Sequence, residues 1–227
     1  MSSDKIVVIL RFMPQKRVDS FLSGELYLNT LEYFAELEGD SVRSDNHEGA
    51  LYAWQLTQIE MADDNGNFLN IPFINPVSSR TLQASGVNLL SMYAVTETRG
   101  FRVDERNFGF GDSVVVILNP VEFFARVQRA AKKLVRKFGW KLTEYVDRSY
   151  EGPIGIFRKL SDLKYQQEMR LAVSGGDNKP LKLSIGDIRD ICDVCPSSHF
   201  RFGYVDVETD GRATIHVDAR TADGSPL

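Results

Sequence analysis

Polar side chains at alternate positions make "QQEMRLAV" the segment whose spacing best suits chemistry. If it forms a β-strand, Gln166, Glu168 and Arg170 share one face. Met169 and Leu171 then lie on the other face, in the core. We expect Glu168 and Arg170 to point away from the core, so that Glu168→Gln leaves stability nearly unchanged. A carboxylate mounted on a rigid strand is a candidate catalytic group. The alternative is a half-exposed strand whose charges pair with neighbours.

An acidic stretch, "GDSVRSDNHEG", runs from position 39 to position 49 and is a second candidate site. Its potential metal ligands are Asp40, Asp45, His47 and Glu48. A calcium loop needs oxygen ligands at alternating positions and a glycine at its sharp turn, and this stretch lacks that spacing. Acids clustered in a turn are more typical of a solvated or partner-facing loop, so we expect no tightly held metal.

The segment "CDVCPSSH" offers Cys192, Cys195 and His199 as possible zinc ligands. A structural zinc site usually closes with four ligands, commonly as two separated pairs, and no second cysteine pair follows here. The helical spacing of Ile188, Ile191 and Cys195 instead favours a helix. In that helix the cysteines would be small buried hydrophobic residues. We therefore predict no metal at this segment.

A basic run on one predicted helix contrasts with the acidity of the whole chain, and only Glu122 opposes it. Such a helix face can contact a phosphate backbone, or it can be a solvated face whose side-chain stems cover apolar neighbours. No aromatic residues interleave with the cations to stack bases, so we expect a protein partner rather than nucleic acid. The candidate phosphate contacts are Arg126, Arg129, Lys133 and Arg136, and Lys132 and Lys137 complete the run.

Composition limits the class of protein. The formal net charge of -4 gives no global field that would attract nucleic acid or anionic lipid, so either partner would need a local patch. The N-terminal apolar run, Ile6 to Leu10, is too short for a signal peptide or a membrane span. Two cysteines in 227 residues do not form a disulfide framework. We expect a cytoplasmic protein with no membrane partner.

The elements that position these residues predict one α+β domain over residues 1–227, with a short polar tail from about 220. Strands outnumber helices without alternating with them, which indicates a mostly antiparallel sheet or two packed sheets with a few helices. "DSVVVILNP" is apolar on both faces and should be central in the sheet. Asn65-Gly66 predicts a hairpin turn. The main helix should run from Pro120 to about Phe138, capped by Asn119.

Several of these segments together resemble a family of uncharacterised bacterial and phage proteins. The resemblance rests on "FLSGELYLNTLEYF", "VVVILNPVEFFARVQRA", "VDRSYEG" and "FRKLSDLKYQQEMRLAV", and it spans most of residues 21–173. Members have a similar Gly-Asp…Glu-Gly hairpin and a similar Lys…Tyr-x-x-Gln/Glu-x-Arg strand. The resemblance implies a cytoplasmic protein of a phage or mobile element, without implying an activity.

A second resemblance is to the ADP-ribosyltransferases. That family has an arginine on an early strand, a serine-containing strand in the middle and a Gln/Glu-x-Glu strand late in the chain. Arg11, Ser91 and Gln166-x-Glu168 follow the same order. The resemblance implies an ADP-ribosyltransferase-like fold with NAD as the cofactor, bound by Arg11. Glu168, Gln166 and Ser91 would be the catalytic residues, and Glu168 would stabilise the cationic ribose transition state.

Two other functions stay open at this point. A metal-dependent nuclease places an acid at a strand end and Glu-x-Lys on the next strand, which Asp147 and Glu168-Met169-Arg170 approximate. Arginine in the lysine position argues against this function, because arginine stays protonated. The remaining hypothesis is a non-catalytic phage or host-interaction protein that binds and blocks a host or defence factor. If the chain is an enzyme, the expected activity is ADP-ribosyl transfer from NAD to a macromolecular target.

Overall fold

A mostly antiparallel sheet packed against short helices forms the centre of the protein. The structure, a computed structural model, describes residues 5–35, 52–54, 58–62, 68–72, 77–79, 86–97, 103–201, 204–207 and 213–216. The helices in these ranges are α1 (Val18–Leu22), α2 (Leu31–Ala35) and α3 (Pro120–Lys133). Short 3-10 segments span Gln15–Arg17, Glu105–Phe110, Ser161–Gln166, Arg189–Ile191 and Ser197–Arg201.

The strands are numbered in chain order over the same ranges. They are β1 (Ile6–Met13), β2 (Glu25–Thr30), β3 (Tyr52–Trp54), β4 (Gln58–Ala62), β5 (Phe68–Pro72), β6 (Val77–Ser79), β7 (Val87–Thr96), β8 (Ser113–Ile117), β9 (Lys137–Leu142), β10 (Glu144–Val146), β11 (Gly152–Pro153), β12 (Arg158–Leu160), β13 (Glu168–Ser174), β14 (Leu181–Ser184), β15 (Cys192–Pro196), β16 (Tyr204–Val207) and β17 (Ala213–His216). The α+β class with mostly antiparallel pairing is as the sequence predicts. Among the described strands, only β10 and β12 pair in parallel.

Strand β7 is the centre of the main sheet, and one of its edges is forked. β13 pairs with positions 87–93 of β7. Tyr93 also pairs with β1, so β1 lies on the opposite edge, where it contacts positions 93–96. β2 occupies that same edge only at positions 88–89. Positions 90–92 therefore face the gap between β1 and β2. The sheet continues through β8 and β15 beyond β1, through β14 beyond β2, and through β9 beyond β13.

Both faces of this sheet are covered, which explains the two-sided apolar strands. On one face α1 and α3 pack over a core that includes Ile9, Leu171 and Phe123. On the other face a second apolar cluster includes Phe12, which contacts the ring of Phe200 at a centroid distance of 6.3 Å. β8 lies between β1 and β15, and all five of its residues are buried, so its predicted central place is confirmed.

Helix α3 begins as predicted and ends about one turn earlier. The Asn119 side chain accepts a hydrogen bond from the backbone N–H of Glu122 at 3.0 Å, which caps the first turn. The prediction of a helix to Phe138 was wrong, because Val135 takes a left-handed conformation at φ 56°. Phe138 consequently lies in β9, and Leu134 is exposed.

Two other local predictions have different outcomes. β4 pairs antiparallel with β5, as the predicted hairpin requires, although the Asn65-Gly66 turn itself lies outside the described residues. The helix predicted through Cys195 was wrong, because residues from Cys192 onward form β15 against β8. The tail from about position 220 also lies outside the described residues.

Leu171 provides a test of the core around β13. It is fully buried, so Leu171→Ala should lower the free energy of unfolding by about 2–5 kcal/mol through lost apolar contacts and a residual cavity. Urea denaturation measures this change. Leu134→Ala is the matched control, because Leu134 is 47% exposed, and it should change stability by less than about 1 kcal/mol. Equal losses in both variants would contradict the described packing.

Candidate functional site

The four site residues predicted from the sequence line one small cavity. Arg11 comes from β1, Ser91 from β7, Glu168 from β13, and Gln166 from the 3-10 segment before β13. The cavity has a volume of about 50 Å³. Residues separated by more than 150 positions in the chain therefore meet at the forked edge of β7. The other residues that line the cavity are Leu10, Phe12, Met92, Tyr93, Asn107 and Phe110.

Arg11 has a structural task at this fork. Its Nη1 donates a hydrogen bond to the carbonyl oxygen of Ser91 at 2.5 Å. Ser91 lies within positions 90–92, which face the gap between β1 and β2. The guanidinium thus supplies a donor to a strand carbonyl where the neighbouring strand has diverged, and a buried carbonyl needs such a donor. β7 separates β1 from β13, so Arg11 and Glu168 are not on adjacent strands.

Gln166 reaches the cavity from a turn before β13, which the alternation of side chains along a strand does not predict. Gln166 ends a 3-10 segment, and Gln167 takes a left-handed conformation at φ 37°. The Gln167 carbonyl accepts a hydrogen bond from the Ala94 N–H at 2.9 Å, which ties this irregular step to β7. The strand itself begins at Glu168. Gln166 therefore joins the cluster from a turn, not from the strand face.

Glu168 and Arg170 lie on the strand face opposite Met169 and Leu171, but that face is also buried. Glu168 is 9% exposed and Arg170 is 1% exposed, so they point away from the core around Leu171, as predicted, but they do not face solvent. The segment that precedes β13 in the chain supplies part of the cover. Arg170 Nη1 donates to the Ile156 carbonyl at 2.6 Å, and the buried Lys159 lies beside Glu168.

The carboxylate of Glu168 is bonded through both of its oxygens. Arg170 Nε donates to Oε2 at 2.7 Å, and Lys159 Nζ donates to Oε1 at 3.3 Å. Lys159 also donates to Gln166 Oε1 at 2.9 Å. We call Lys159, Gln166, Glu168 and Arg170 the buried ionic cluster. A buried ion pair is tolerated only when its remaining hydrogen-bonding groups are satisfied in this way.

The electrostatics of the cluster keep Glu168 ionised. Burial alone would raise the pKa of its carboxyl group, but the charges of Lys159 and Arg170 outweigh burial and lower the pKa from 4.5 to about 2. The backbone N–H of Glu168 donates to the Tyr145 hydroxyl at 2.9 Å. Burial, followed by the nearby Glu168 charge, raises the pKa of Tyr145, so this tyrosine stays neutral at physiological pH.

This geometry suits anchoring better than it suits catalysis. The described cavity, of about 50 Å³, has room for a few water molecules, and a dinucleotide would need a wider opening than these residues form. Metal chemistry is not favoured either, because the side chains bonded to Glu168 are cations. Asp147, the other acid of the nuclease hypothesis, is exposed. The described residues contain no group of three His, Cys, Asp or Glu side chains placed to bind a metal.

The cysteine pair and the acidic stretch contribute no site to the described structure. Cys192 packs toward the core under α3, and Cys195 packs toward the cluster around Phe12, on the opposite face of the sheet. Residues three apart in a strand point to opposite sides, so the two thiols cannot share a metal. Burial raises their pKa values to about 12 and about 11. The acidic stretch at positions 39–49 lies outside the described residues.

The basic helix face divides into bonded and exposed cations. Arg126 contacts both Glu122 and Asp190, at 2.8 and 2.5 Å, and Arg129 contacts Glu122 at 2.9 Å. Two of the predicted phosphate contacts are thus engaged within the protein. Lys133 is exposed and Arg136 is half-buried. The exposed positive charge therefore lies at the C-terminal end of α3, beyond the paired Arg126 and Arg129.

The turn between α3 and β9 concentrates this charge around an apolar centre. We call Lys132, Lys133, Leu134, Val135, Arg136 and Lys137 the basic tip. Val135 is 95% exposed and Leu134 is 47% exposed. Among the described residues, no ion pair involves Lys132, Lys133 or Lys137. The sequence "KKLVRK" contains these residues, but a helix predicted through Phe138 leaves no turn at which they would be exposed together.

Backbone hydrogen bonds fix the shape of the basic tip. The Arg136 N–H donates to the Ala131 carbonyl at 3.1 Å, and the Val135 N–H donates to the Lys132 carbonyl at 3.0 Å. This pair of bonds defines a Schellman motif, in which the left-handed residue is usually glycine, sometimes asparagine. Val135 occupies that position here. A β-branched residue in this conformation costs roughly 1–2 kcal/mol.

Comparisons with known proteins assign neither the fold nor the site. The chain matches no protein-family model, no curated protein and no solved structure. The resemblance to ADP-ribosyltransferases therefore gains no support from them. No helix in the described part of the chain has the length and apolarity needed to span a membrane.

Glu168→Gln should strongly destabilise the protein, contrary to the expectation from the sequence. The substitution leaves Arg170 and Lys159 buried without their counter-charge, which costs about 3–5 kcal/mol. The measurement is the free energy of unfolding at pH 7. The control is Glu144→Gln: Glu144 contacts Arg158 at 2.9 Å but is exposed, so its loss should cost less than about 1 kcal/mol. Equal losses of unfolding free energy in the two variants would show that the buried ionic cluster does not stabilise the fold.

The same residue predicts an acid dependence. The folded-state pKa of Glu168, about 2, lies below the ordinary 4.5, so the unfolded chain takes up the proton first as pH falls. Its stabilising contribution is complete above about pH 5 and is lost as pH falls from 4.5 toward 2. Stability measured from pH 7 to pH 3 should therefore fall less steeply in Glu168→Gln than in the wild type. Parallel curves would contradict this assignment.

Proposed function

We propose that the protein is a binding protein that attaches to a polyanionic surface through the basic tip. In this function Glu168 stabilises the fold and performs no reaction. The observation that carries the proposal is Val135, an exposed and conformationally strained apolar residue placed between two pairs of cations. Strain of this kind persists where the rest of the structure imposes it, and it concentrates at functional positions.

Charge supports the polyanionic nature of the partner. No aspartate or glutamate occurs from position 123 to position 143, although the whole chain has a formal net charge of -4. The lysines of the basic tip are exposed, and the tip is held in shape by the Schellman bonds. A pre-formed positive surface binds an anionic partner with little ordering cost, and it does so in a salt-dependent manner.

The buried ionic cluster supports the non-catalytic part of the proposal. Both oxygens of the Glu168 carboxylate contact buried cations, and Arg170 and Lys159 are bonded in turn to Ile156 and Gln166. A catalytic carboxylate has to reach a substrate atom. The contacts of Glu168 are instead those of a residue that joins β13 to the segment covering it.

Retention on immobilised heparin tests the binding function. We expect wild-type protein to bind at low salt and elute as salt rises, because its exposed lysines displace counterions. Lys132→Gln, Lys133→Gln and Lys137→Gln together should abolish retention. The matched control replaces Lys16, Lys164 and Lys182 by glutamine, which removes the same charge from exposed positions elsewhere. Equal losses in both variants, or no retention of the wild type, would refute the proposal.

A second candidate function is ADP-ribosyl transfer from NAD, favoured by the meeting of Arg11, Ser91, Gln166 and Glu168 at one cavity. It requires a wider cavity than the described one. Incubation with labelled NAD and cell lysate separates the two functions. The binding function predicts no nicotinamide release above a protein-free control. Nicotinamide release together with label carried on a macromolecule, both lost in a Ser91→Ala variant of unchanged circular dichroism, would establish the transferase instead.

A further inference from the structure

We propose that the polyanionic surface is an anionic lipid bilayer, on which Leu134 and Val135 enter the headgroup region while the flanking cations contact lipid phosphates. This inference rests on the proposed binding function and adds the chemistry of the partner. The expectation of no membrane partner came from the net charge of the chain, and the basic tip is the local patch that such a partner needs.

Val135 is the residue that distinguishes lipid from other polyanions. The Schellman position accepts glycine or asparagine without the strain that valine incurs there. A phosphate backbone is charged but has no apolar layer, so it cannot bury an exposed valine side chain. The headgroup and acyl boundary of a bilayer offers both, since it buries apolar side chains beneath a charged layer. Val135, 95% exposed, is suitably placed to enter it.

The arrangement of the cations fits the same surface. Lys132 and Lys133 end α3, and Lys137 begins β9, so the charged residues flank the apolar pair on both sides of one turn. Clusters of four or more lysines and arginines are typical of segments that bind anionic lipid. Each cation near such a surface strengthens binding by roughly fivefold. The short reach of a single turn limits the contact to the bilayer surface.

Co-sedimentation of the full chain with vesicles tests the inference. The probes are phosphatidylcholine vesicles and vesicles of phosphatidylcholine with about 30% phosphatidylserine. Anionic lipid at about this content attracts basic segments. We expect binding only to the anionic vesicles, weakening as salt rises. Val135→Asn should lower the membrane partition constant by about fivefold or more, because it removes the apolar side chain that the bilayer would bury. Its melting temperature should stay unchanged or rise, because asparagine tolerates the left-handed conformation.

Val121→Asn is the matched control for Val135→Asn. Val121 is 76% exposed at the opposite end of the same helix, so its replacement should leave vesicle binding unchanged. Equal effects of the two substitutions would overturn the lipid assignment. So would unchanged vesicle binding in Val135→Asn, since charge alone would then account for it.

The heparin and vesicle measurements separate this inference from the function on which it rests. Retention on heparin without binding to anionic vesicles would refute the lipid inference, leave the binding function in place and point to a soluble polyanion such as nucleic acid. Absence of lysine-dependent heparin retention would refute the binding function itself. Lysine-dependent binding to both probes, with only vesicle binding sensitive to Val135→Asn, is the result that supports the lipid assignment.

Discussion

The ion pair between Glu168 and Arg170, completed by Lys159, is the interaction on which the centre of this protein depends. Arg170 is almost fully buried on the central sheet, and an unpaired guanidinium there would be too costly to retain. Glu168 supplies its counter-charge at 2.7 Å, and Ile156 supplies a carbonyl acceptor at 2.6 Å. The second layer over β13 is thus held by charge as well as by apolar packing.

The forked edge of β7 creates a related constraint. Because β1 and β2 share that edge and leave positions 90–92 between them, the sheet needs a donor from elsewhere, and Arg11 supplies it to Ser91. The cavity that gathers the predicted site residues lies at this fork. Its polar lining is therefore explained by the needs of an interrupted sheet, and the same residue types that suggest NAD chemistry serve backbone and charge pairing.

The basic tip differs from the buried ionic cluster in how its charges are satisfied. In the cluster every named charge meets a partner, so its residues stabilise the fold. In the tip the lysines and Val135 remain exposed, and the left-handed backbone at Val135 adds strain. Residues that destabilise a monomer while staying accessible are the ones expected to gain their favourable contacts from a partner.

Local patterns in the sequence determined much of the architecture. Side-chain alternation and apolar runs identified β8 and β13, and the Asn119 cap placed the start of α3, because these features depend on neighbouring residues alone. Tertiary structure decided the rest. Burial of Glu168 depends on Lys159 and on the segment that covers β13, and alternation along one strand carries no information about a second covering layer. The end of α3 depended on a valine in a glycine-type conformation, which local propensity assigns to the helix. The meeting of Arg11, Ser91 and Glu168 is set by strand order, a long-range property that the forked edge of β7 fixes only in the folded sheet.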